Sequence, residues 1–245
     1  MTVATHADIV SLGEAMVEFN QTGEGNGRLY LQGFGGDTSN FAIAAARQGA
    51  RVAYVSALGD DPYGRLLRRL WDEEGVEHVD VLTNPYAFTA IYFVTHGEAG
   101  HQFSFFRSGS AASRMSPMQL PRERIASARV LHLSGISLAI SPAACDTAYA
   151  AIDTARQAGV KVSFDTNLRL KLWSIDRARA VMSDVIARSD LCLPSYDDVV
   201  AITGITDPDA LVDHCLRLGA KVVALKLGDQ GALIADGNQR HRIAP

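Results

Sequence analysis

"GFGGDTSNFAIAAARQGA", Gly33 to Ala50, decides how the rest of the chain is read. Three glycines and an aspartate lead into a polar "TSN" and then an alanine-rich apolar run, the pattern of a tight backbone turn delivering the chain onto a helix N-terminus. The alanines run on to Gly49, the expected stop, and the strand-like "ARVAYVSALG" follows. The first turn of a helix leaves backbone N–H groups without partners. The stretch therefore raises the question of what this helix start holds.

Upstream, "DIVSLGE" reads as a strand punctuated by Gly13, and the polar, glycine-interrupted "AMVEFNQTGEGNGRLYLQG" reads as a strand pair or a mobile flap. Downstream, "DPYGRLLRRLWDEEG" has Pro62 near a helix start and Gly75 at its end, and "VEHVDVL" is expected to be a strand. Between Ala87 and Arg107 the period shortens to two: "FTAIYFVT", a turn "HGEAG" and "HQFSFFR" predict an aromatic hairpin interrupting the α/β pattern, a candidate lid. Strand and helix then alternate again through "RVLHLSG", "SPAACDTAYAAIDTARQAG", "VKVSFDTN", "DRARAVMSDVIARS", "DLCLPS", "YDDVVAITG", "DPDALVDHCLRLG" and "AKVVALKLG", with "GALIADG" as a last short strand. Helices of this length between short strands predict a mostly parallel sheet covered on both faces.

The 245 residues, 47% hydrophobic and 20% charged, suit one large domain or one domain with a small appendage. A formal charge of −4 with both signs interspersed gives no basic footprint for nucleic acid and no polybasic membrane patch, so small molecules are the expected partners. Cys145, Cys192 and Cys215 are widely spaced in apolar surroundings and are expected to be buried and structural. The opening "MTVATHADIVSLGEAM" has neither a basic flank nor a long apolar run, and the cytosol is the expected compartment.

Two phosphate-binding motifs fail. "GDDPYGRL", Gly59 to Leu66, offers Arg65 and Leu66 where a P-loop needs lysine and a hydroxyl, and "SLGEAM" is not G-x-G-x-x-G. Four other stretches can carry chemistry. "GGDTSN" combines glycines, helix-start amides, Asp37 and Asn40, and is also what an ordinary capped loop looks like. "SFFRSGSA" ends an aromatic strand in Arg107, a forked donor suited to carboxylate or phosphate, or simply an exposed strand arginine. "SFDTNLR" places Asp165, Asn167 and Arg169 at the C-terminal end of a strand, where open α/β sheets bind ligands. "LKLGDQGALI" and "LCLPSYDDV", with Ser195 and Asp198, are weaker: a hairpin turn and another strand end.

In order and spacing these stretches resemble the ribokinase-like (PfkB) family of carbohydrate kinases, over essentially the whole chain. The glycine pair, Asn40, Ala42, Gly49 and Gly59 follow the first family signature. Within the family the chain is most similar to 2-keto-3-deoxygluconate kinases, through "LGEAMVEF", "GGDTSNFA", "FTAIYFV", "FSFFRSGSAAS", "LHLSGISLAIS" and "DTNLRLKLW". The resemblance implies a three-layer α/β/α core over residues 1–245, with lid strands at about 15–34 and 87–108, and ATP-dependent phosphorylation of the primary hydroxyl of 2-keto-3-deoxygluconate with Mg2+. Fructokinase or ribokinase activity, and a non-catalytic sugar-binding protein, are the alternatives.

By position, the resemblance implies that Gly35, Gly36, Asp37 and Asn40 meet the sugar, and that Tyr92, Phe105 and Arg107 close over it, Arg107 pairing the carboxylate. Phe105 stands where the family usually has tyrosine. Asn167 and Arg169 would lie between sugar and ATP phosphates, with Arg169 neutralising the transferred group. Ser195 and Asp198, in place of the family's Asn-x-x-Glu, would lie near the phosphates and magnesium. Lys226, Gly228, Asp229, Gln230 and Gly231 would line the nucleotide. The family's Gly-Ala-Gly-Asp segment, which carries the general base, is not found up to "RHRIAP", so the resemblance implies a chain incomplete at its C-terminus and inactive as written. It also allows a homo-oligomer through the lid.

Overall fold

The computed structural model describes residues 6–23, 27–97 and 100–245. The first elements among the described residues are β1 (Ile9–Leu12), β2 (Met16–Gln21) and β3 (Tyr30–Gly35), then α1 (Asp37–Arg47), β4 (Val52–Val55), β5 (Ala57–Gly59), α2 (Pro62–Glu74) and β6 (Leu82–Asn84). A hairpin of β7 (Ile91–Gly97) and β8 (Gly100–Phe106) follows. Next come α3 (Arg122–Ala126), β9 (Val130–Ser134), α4 (Gly135–Ala139), α5 (Pro142–Gln157), β10 (Lys161–Asp165), α6 (Ile175–Ala187), β11 (Leu191–Cys192) and α7 (Tyr196–Thr203). The last elements are α8 (Pro208–Leu218), β12 (Val222–Lys226), β13 (Ala232–Asp236) and β14 (Arg240–Ile243).

The main sheet has eight strands in the order β14-β13-β12-β11-β10-β9-β1-β4. From β4 to β12 every pairing is parallel, and only β13 and β14 run antiparallel at the far edge. Parallel strands need helical crossovers, which the alternating sequence supplies. Tyr54, Leu67 and Trp71 belong to one apolar cluster, with partly buried side chains of α1 and α2 packed around it. Ile152, Met182, Ile186, Leu211 and Cys215, from α5, α6 and α8, belong to a larger one. All three cysteines are buried and free, and among the described residues no helix is long and apolar enough to cross a membrane.

The second sheet has four strands in the order β3-β2-β7-β8. Its strands fall within the two stretches expected to be lid strands, except that β3 runs one residue further, to Gly35, and β2 pairs β7 in parallel, so the two pieces make one sheet. Glu98 and Ala99, in the "HGEAG" turn, lie outside the described residues, as does part of the loop between β2 and β3.

Sequence expectation and structure part at several places, among them the unexpected short elements α3, α4 and β14. "VEHVDVL" is not a strand: Glu77 makes one isolated bridge to Ala53, and the strand proper is β6. A turn from Val81 N to His78 O interrupts the run, and Arg68 of α2 donates to the carbonyls of His78 and Val81 that a ladder would have used. "ARVAYVSALG" splits at Ser56 into β4 of the main sheet and β5, which pairs β6 in a two-stranded sheet. The segment after the lid holds two short 3-10 turns, Ala112–Arg114 and Pro117–Gln119, that the sequence reading left without structure.

Candidate functional site

The start of α1 answers part of the opening question. Gly36 is its N-cap, at φ 106°, and no side chain caps the helix. A Cβ on Gly36 would stand 2.5 Å from the Glu14 carbonyl oxygen, and one on Gly35 would stand 2.4 Å from the Tyr92 hydroxyl. Only glycine lets β3 enter α1 between these neighbours. Asp37, in the first helical turn, accepts a hydrogen bond at 2.9 Å from Asn167 Nδ2. Asn40 is exposed one turn further on.

Asn167 lies just beyond the C-terminal end of β10 and is the one non-glycine residue with positive φ, 33°, among the described residues. Asp165 Oδ1 accepts from its backbone N–H at 3.2 Å, an aspartate turn that stabilises this conformation. The other Asp165 oxygen takes Lys226 Nζ at 2.6 Å, bridging the ends of β10 and β12. Burial pushes the Asp165 carboxyl up, against the opposing pull of Lys226. Asp198 Oδ2 accepts from Thr166 Oγ1 at 2.9 Å and from Leu168 N at 3.0 Å, while Ser195 N donates to Thr166 Oγ1 at 3.3 Å. Arg169 is exposed, and its guanidinium donates to the Leu168 carbonyl at 2.7 Å.

Gly228–Gln230 form a 3-10 turn between β12 and β13. Gly228, Asp229 and Gln230 are exposed, and Gly231 is half-buried with φ 82°. The turn therefore presents polar backbone beside the Lys226 end of the sheet.

On the four-stranded sheet, Tyr92 and Phe105 are cross-strand partners with rings stacked at 5.4 Å. Tyr92 is buried and its hydroxyl donates to Glu18 Oε2, whereas Phe105 is largely exposed. Burial and the Glu18 carboxylate both hold the Tyr92 phenol well above its ordinary value. The Arg107 guanidinium carbon stands 5.8 Å from the centroid of the Phe105 ring.

Arg107 does not stand free for an incoming carboxylate. Its Nη2 is 2.6 Å from Glu14 Oε2, and the two side chains are only 11% and 1% exposed. Ser110 Oγ donates to the other Glu14 oxygen. Desolvation pushes the Glu14 carboxyl up, opposed by Arg107 and Ser110 and reinforced by the neighbouring Asp37. Ser110, three residues after Arg107, thus serves a carboxylate of the chain itself.

Glu14, Ser110, Thr166 and Glu18 carry contacts at this site that the sequence reading did not assign. A signal for Glu14 was available: an acidic residue directly after an apolar strand and a glycine occupies the ligand-facing end of an α/β sheet. Side-chain contacts join Lys226, Asp165, Asn167 and Asp37, and a second set joins Tyr92, Phe105, Arg107 and Glu14, whose main chain touches Gly36. Among the described residues no three His, Cys, Asp or Glu side chains stand together as a metal-binding group.

Comparison with known proteins agrees with this architecture. The model of the pfkB family carbohydrate kinases matches residues 6–245. The chain is 35% identical over 231 residues to fructokinase-1 of Zea mays, covering 91% of this chain and 71% of that one. It is 32% identical over 239 residues to the 2-dehydro-3-deoxygluconokinase of Bacillus subtilis (strain 168), covering 94% and 73%. The crystal structure of a PfkB protein from Polaromonas sp. JS666 superposes with a TM-score of 0.91 at 32% identity, over 97% of this chain and 82% of that one.

Proposed function

This chain belongs to the pfkB family of carbohydrate kinases, and we propose that it transfers the γ-phosphoryl group of ATP to the terminal primary hydroxyl of a six-carbon 2-keto sugar. The observation that carries this reading is the 2.9 Å bond between Asn167 and Asp37. It ties the helix start that can meet sugar hydroxyls to the strand end where a phosphate would lie.

In the proposed arrangement Gly35, Gly36, Asp37 and Asn40 bind the sugar beneath Tyr92 and Phe105. Arg169, exposed next to Asn167, neutralises charge on the group in transit. Lys226, Ser195 and the turn from Gly228 to Gly231 face the nucleotide. The sugar hydroxyl oxygen bonds to the γ-phosphorus and gives up its proton to a base other than the residues assigned above, as the bond from that phosphorus to the bridging oxygen breaks and ADP leaves. Magnesium enters as part of the Mg-ATP substrate, held by phosphate and water oxygens as this ion prefers. Asp198 braces the strand-end loop through Oδ2, which accepts from Thr166 and Leu168 N, and would lie near the phosphates and magnesium. The reaction belongs in the cytosol, where ATP is supplied, and the exposed apolar lid side chains Leu31, Phe103 and Phe106 would seat a second copy.

The first reading of the substrate is 2-keto-3-deoxygluconate, supported by "FRSGSAAS", "LHLSGISLAIS" and the similarity to 2-dehydro-3-deoxygluconokinases. The second is fructose, favoured by one structural observation: Arg107, the candidate carboxylate receptor, is already paired with Glu14. The two sugars differ at carbon 1, a carboxylate in the acid and a hydroxymethyl in fructose, and at carbon 3, where fructose carries a hydroxyl that the 3-deoxy acid lacks. Calorimetric titration of the chain with each sugar and with a non-hydrolysable ATP analogue tests the proposal. Saturable binding of one sugar, tightened or unchanged by the analogue, is expected, and binding of neither sugar would sink it.

A further inference from the structure

We propose that Glu14 is the specificity-determining residue of the sugar site, holding Arg107 in an internal ion pair so that a substrate carboxylate is admitted only against its charge. The inference rests on the reading above that the sugar lies between the start of α1 and the lid.

Three features fix Glu14 in this position. One carboxylate oxygen is ion-paired with Arg107 Nη2 at 2.6 Å, and the other accepts a hydrogen bond from Ser110 Oγ. Its main chain packs close to the start of α1, where a Cβ at position 36 would stand 2.5 Å from the Glu14 carbonyl oxygen. Its side chain is 1% exposed, so water does little to screen it. Arg107 reaches it from the segment after β8, Glu14 itself follows β1, and Asp37 faces it from α1.

The charge balance at carbon 1 follows from this geometry. With Glu14 ionised, the guanidinium charge is matched before any substrate arrives, and Asp37 adds a further negative charge nearby. A carboxylate placed on Arg107 would share one cation with a buried anion beside it, whereas a hydroxymethyl group meets no such repulsion. Removing the Glu14 charge while keeping its shape turns Arg107 into a buried cation without a counter-ion, the environment that rewards a bound carboxylate most. Glu14 acts through Arg107, and its effect is on the ratio between the two sugars.

The test is calorimetric titration of the chain and of its Glu14→Gln variant with 2-keto-3-deoxygluconate and with fructose. The variant is expected to raise affinity for the acid at least tenfold relative to fructose, with fructose affinity held within about threefold. Combining Glu14→Gln with Arg107→Gln is expected to abolish the gain. A purely structural role for Glu14 would weaken both sugars together and leave their ratio alone. A Glu14→Gln variant that melts cooperatively and keeps the parental ratio overturns the inference. Where that variant lacks a cooperative melt, Glu14→Asp carries the test. Its carboxylate stands one methylene back from Arg107, an acid-to-fructose gain of about threefold is expected, and an unchanged ratio again overturns it. Failure of the unsubstituted chain to bind either sugar removes the kinase-site reading itself, an outcome distinct from an unchanged ratio.

Discussion

Asn167 reaches Asp37 at 2.9 Å across 130 residues of sequence, from a backbone conformation that no other non-glycine residue adopts among the described residues. The left-handed conformation aims the side-chain amide of Asn167 at the first turn of α1. Replacing Asn167 with Ala removes the bond and leaves a Cβ in a disfavoured region, for an expected loss of about 2 kcal/mol and roughly 4–8 °C in Tm. Asn167→Gly removes only the bond, since glycine tolerates the conformation, and is expected to lose about half as much. Thermal melts of both variants check this, and equal losses would show that the φ angle carries no strain.

Gly36 and Gly49 both have positive φ, yet they are expected to respond very differently to alanine. A Cβ at position 49 meets nothing within 4 Å, and only the backbone conformation resists it, at about 1 kcal/mol. At position 36 the same change also drives a methyl group into the Glu14 carbonyl. Gly36→Ala should therefore cost about 3 kcal/mol or more and weaken sugar binding. Denaturant unfolding of the pair decides the matter, and similar midpoints would contradict the close approach.

His132 supplies a pH dependence. It is buried in β9, stacked on Phe41 and bonded through Nδ1 to Ser163 Oγ at 3.0 Å. Burial, helped by Lys226, holds its pKa down at about 3 against an ordinary 6.5. The unfolded chain takes up a proton near pH 6.5 that the folded chain refuses. Stability from the neutral ring is therefore whole above 6.5 and falls as pH drops toward 3. The loss between pH 7 and 5 should be about 2 kcal/mol. Comparing the pH dependence of unfolding free energy with that of His132→Asn isolates this component, which the variant should lack.

The lid should respond to sugar. β7 and β8 form a hairpin whose strand β8 is exposed along its length, and Tyr92 is anchored over Gly35 at the helix entrance. Saturating 2-keto-3-deoxygluconate or fructose is expected to slow amide exchange in 91–97 and 100–106 by about tenfold or more. Exchange unchanged by a sugar that demonstrably binds would make the hairpin a static wall.

What the sequence disclosed were the features that depend on neighbours in the chain. Asp61, Pro62 and Gly75 bracket α2 as cap, first residue and left-handed stop, and Asp207, Pro208 and Gly219 do much the same for α8. Period-two aromatics located the lid hairpin for the same reason. Features that depend on a distant partner were hidden. The stretch from Val76 to Leu82 has strand-like composition, but Arg68 takes its carbonyls. Arg107 has the chemistry of a carboxylate receptor, and nothing local indicates that Glu14 fills the role first. Asn167 is marked by its strand-end position and Lys226 by the family resemblance, while the bonds that orient them come from Asp37 and Asp165.

The position of β1 in the main sheet has a consequence for how the polypeptide is made. β1 lies between β4 and β9, so this strand, synthesised before both, needs a partner from residues 130–134 to close its second edge. Until then a nascent chain already holding α1, β4 and the complete lid carries an open strand edge of Ile9–Leu12. Open apolar edges pair readily with other chains. Translation of the segment from Gly59 to Val130 is thus the interval in which a newborn chain is most exposed to mispairing, and in which a chaperone has most to protect.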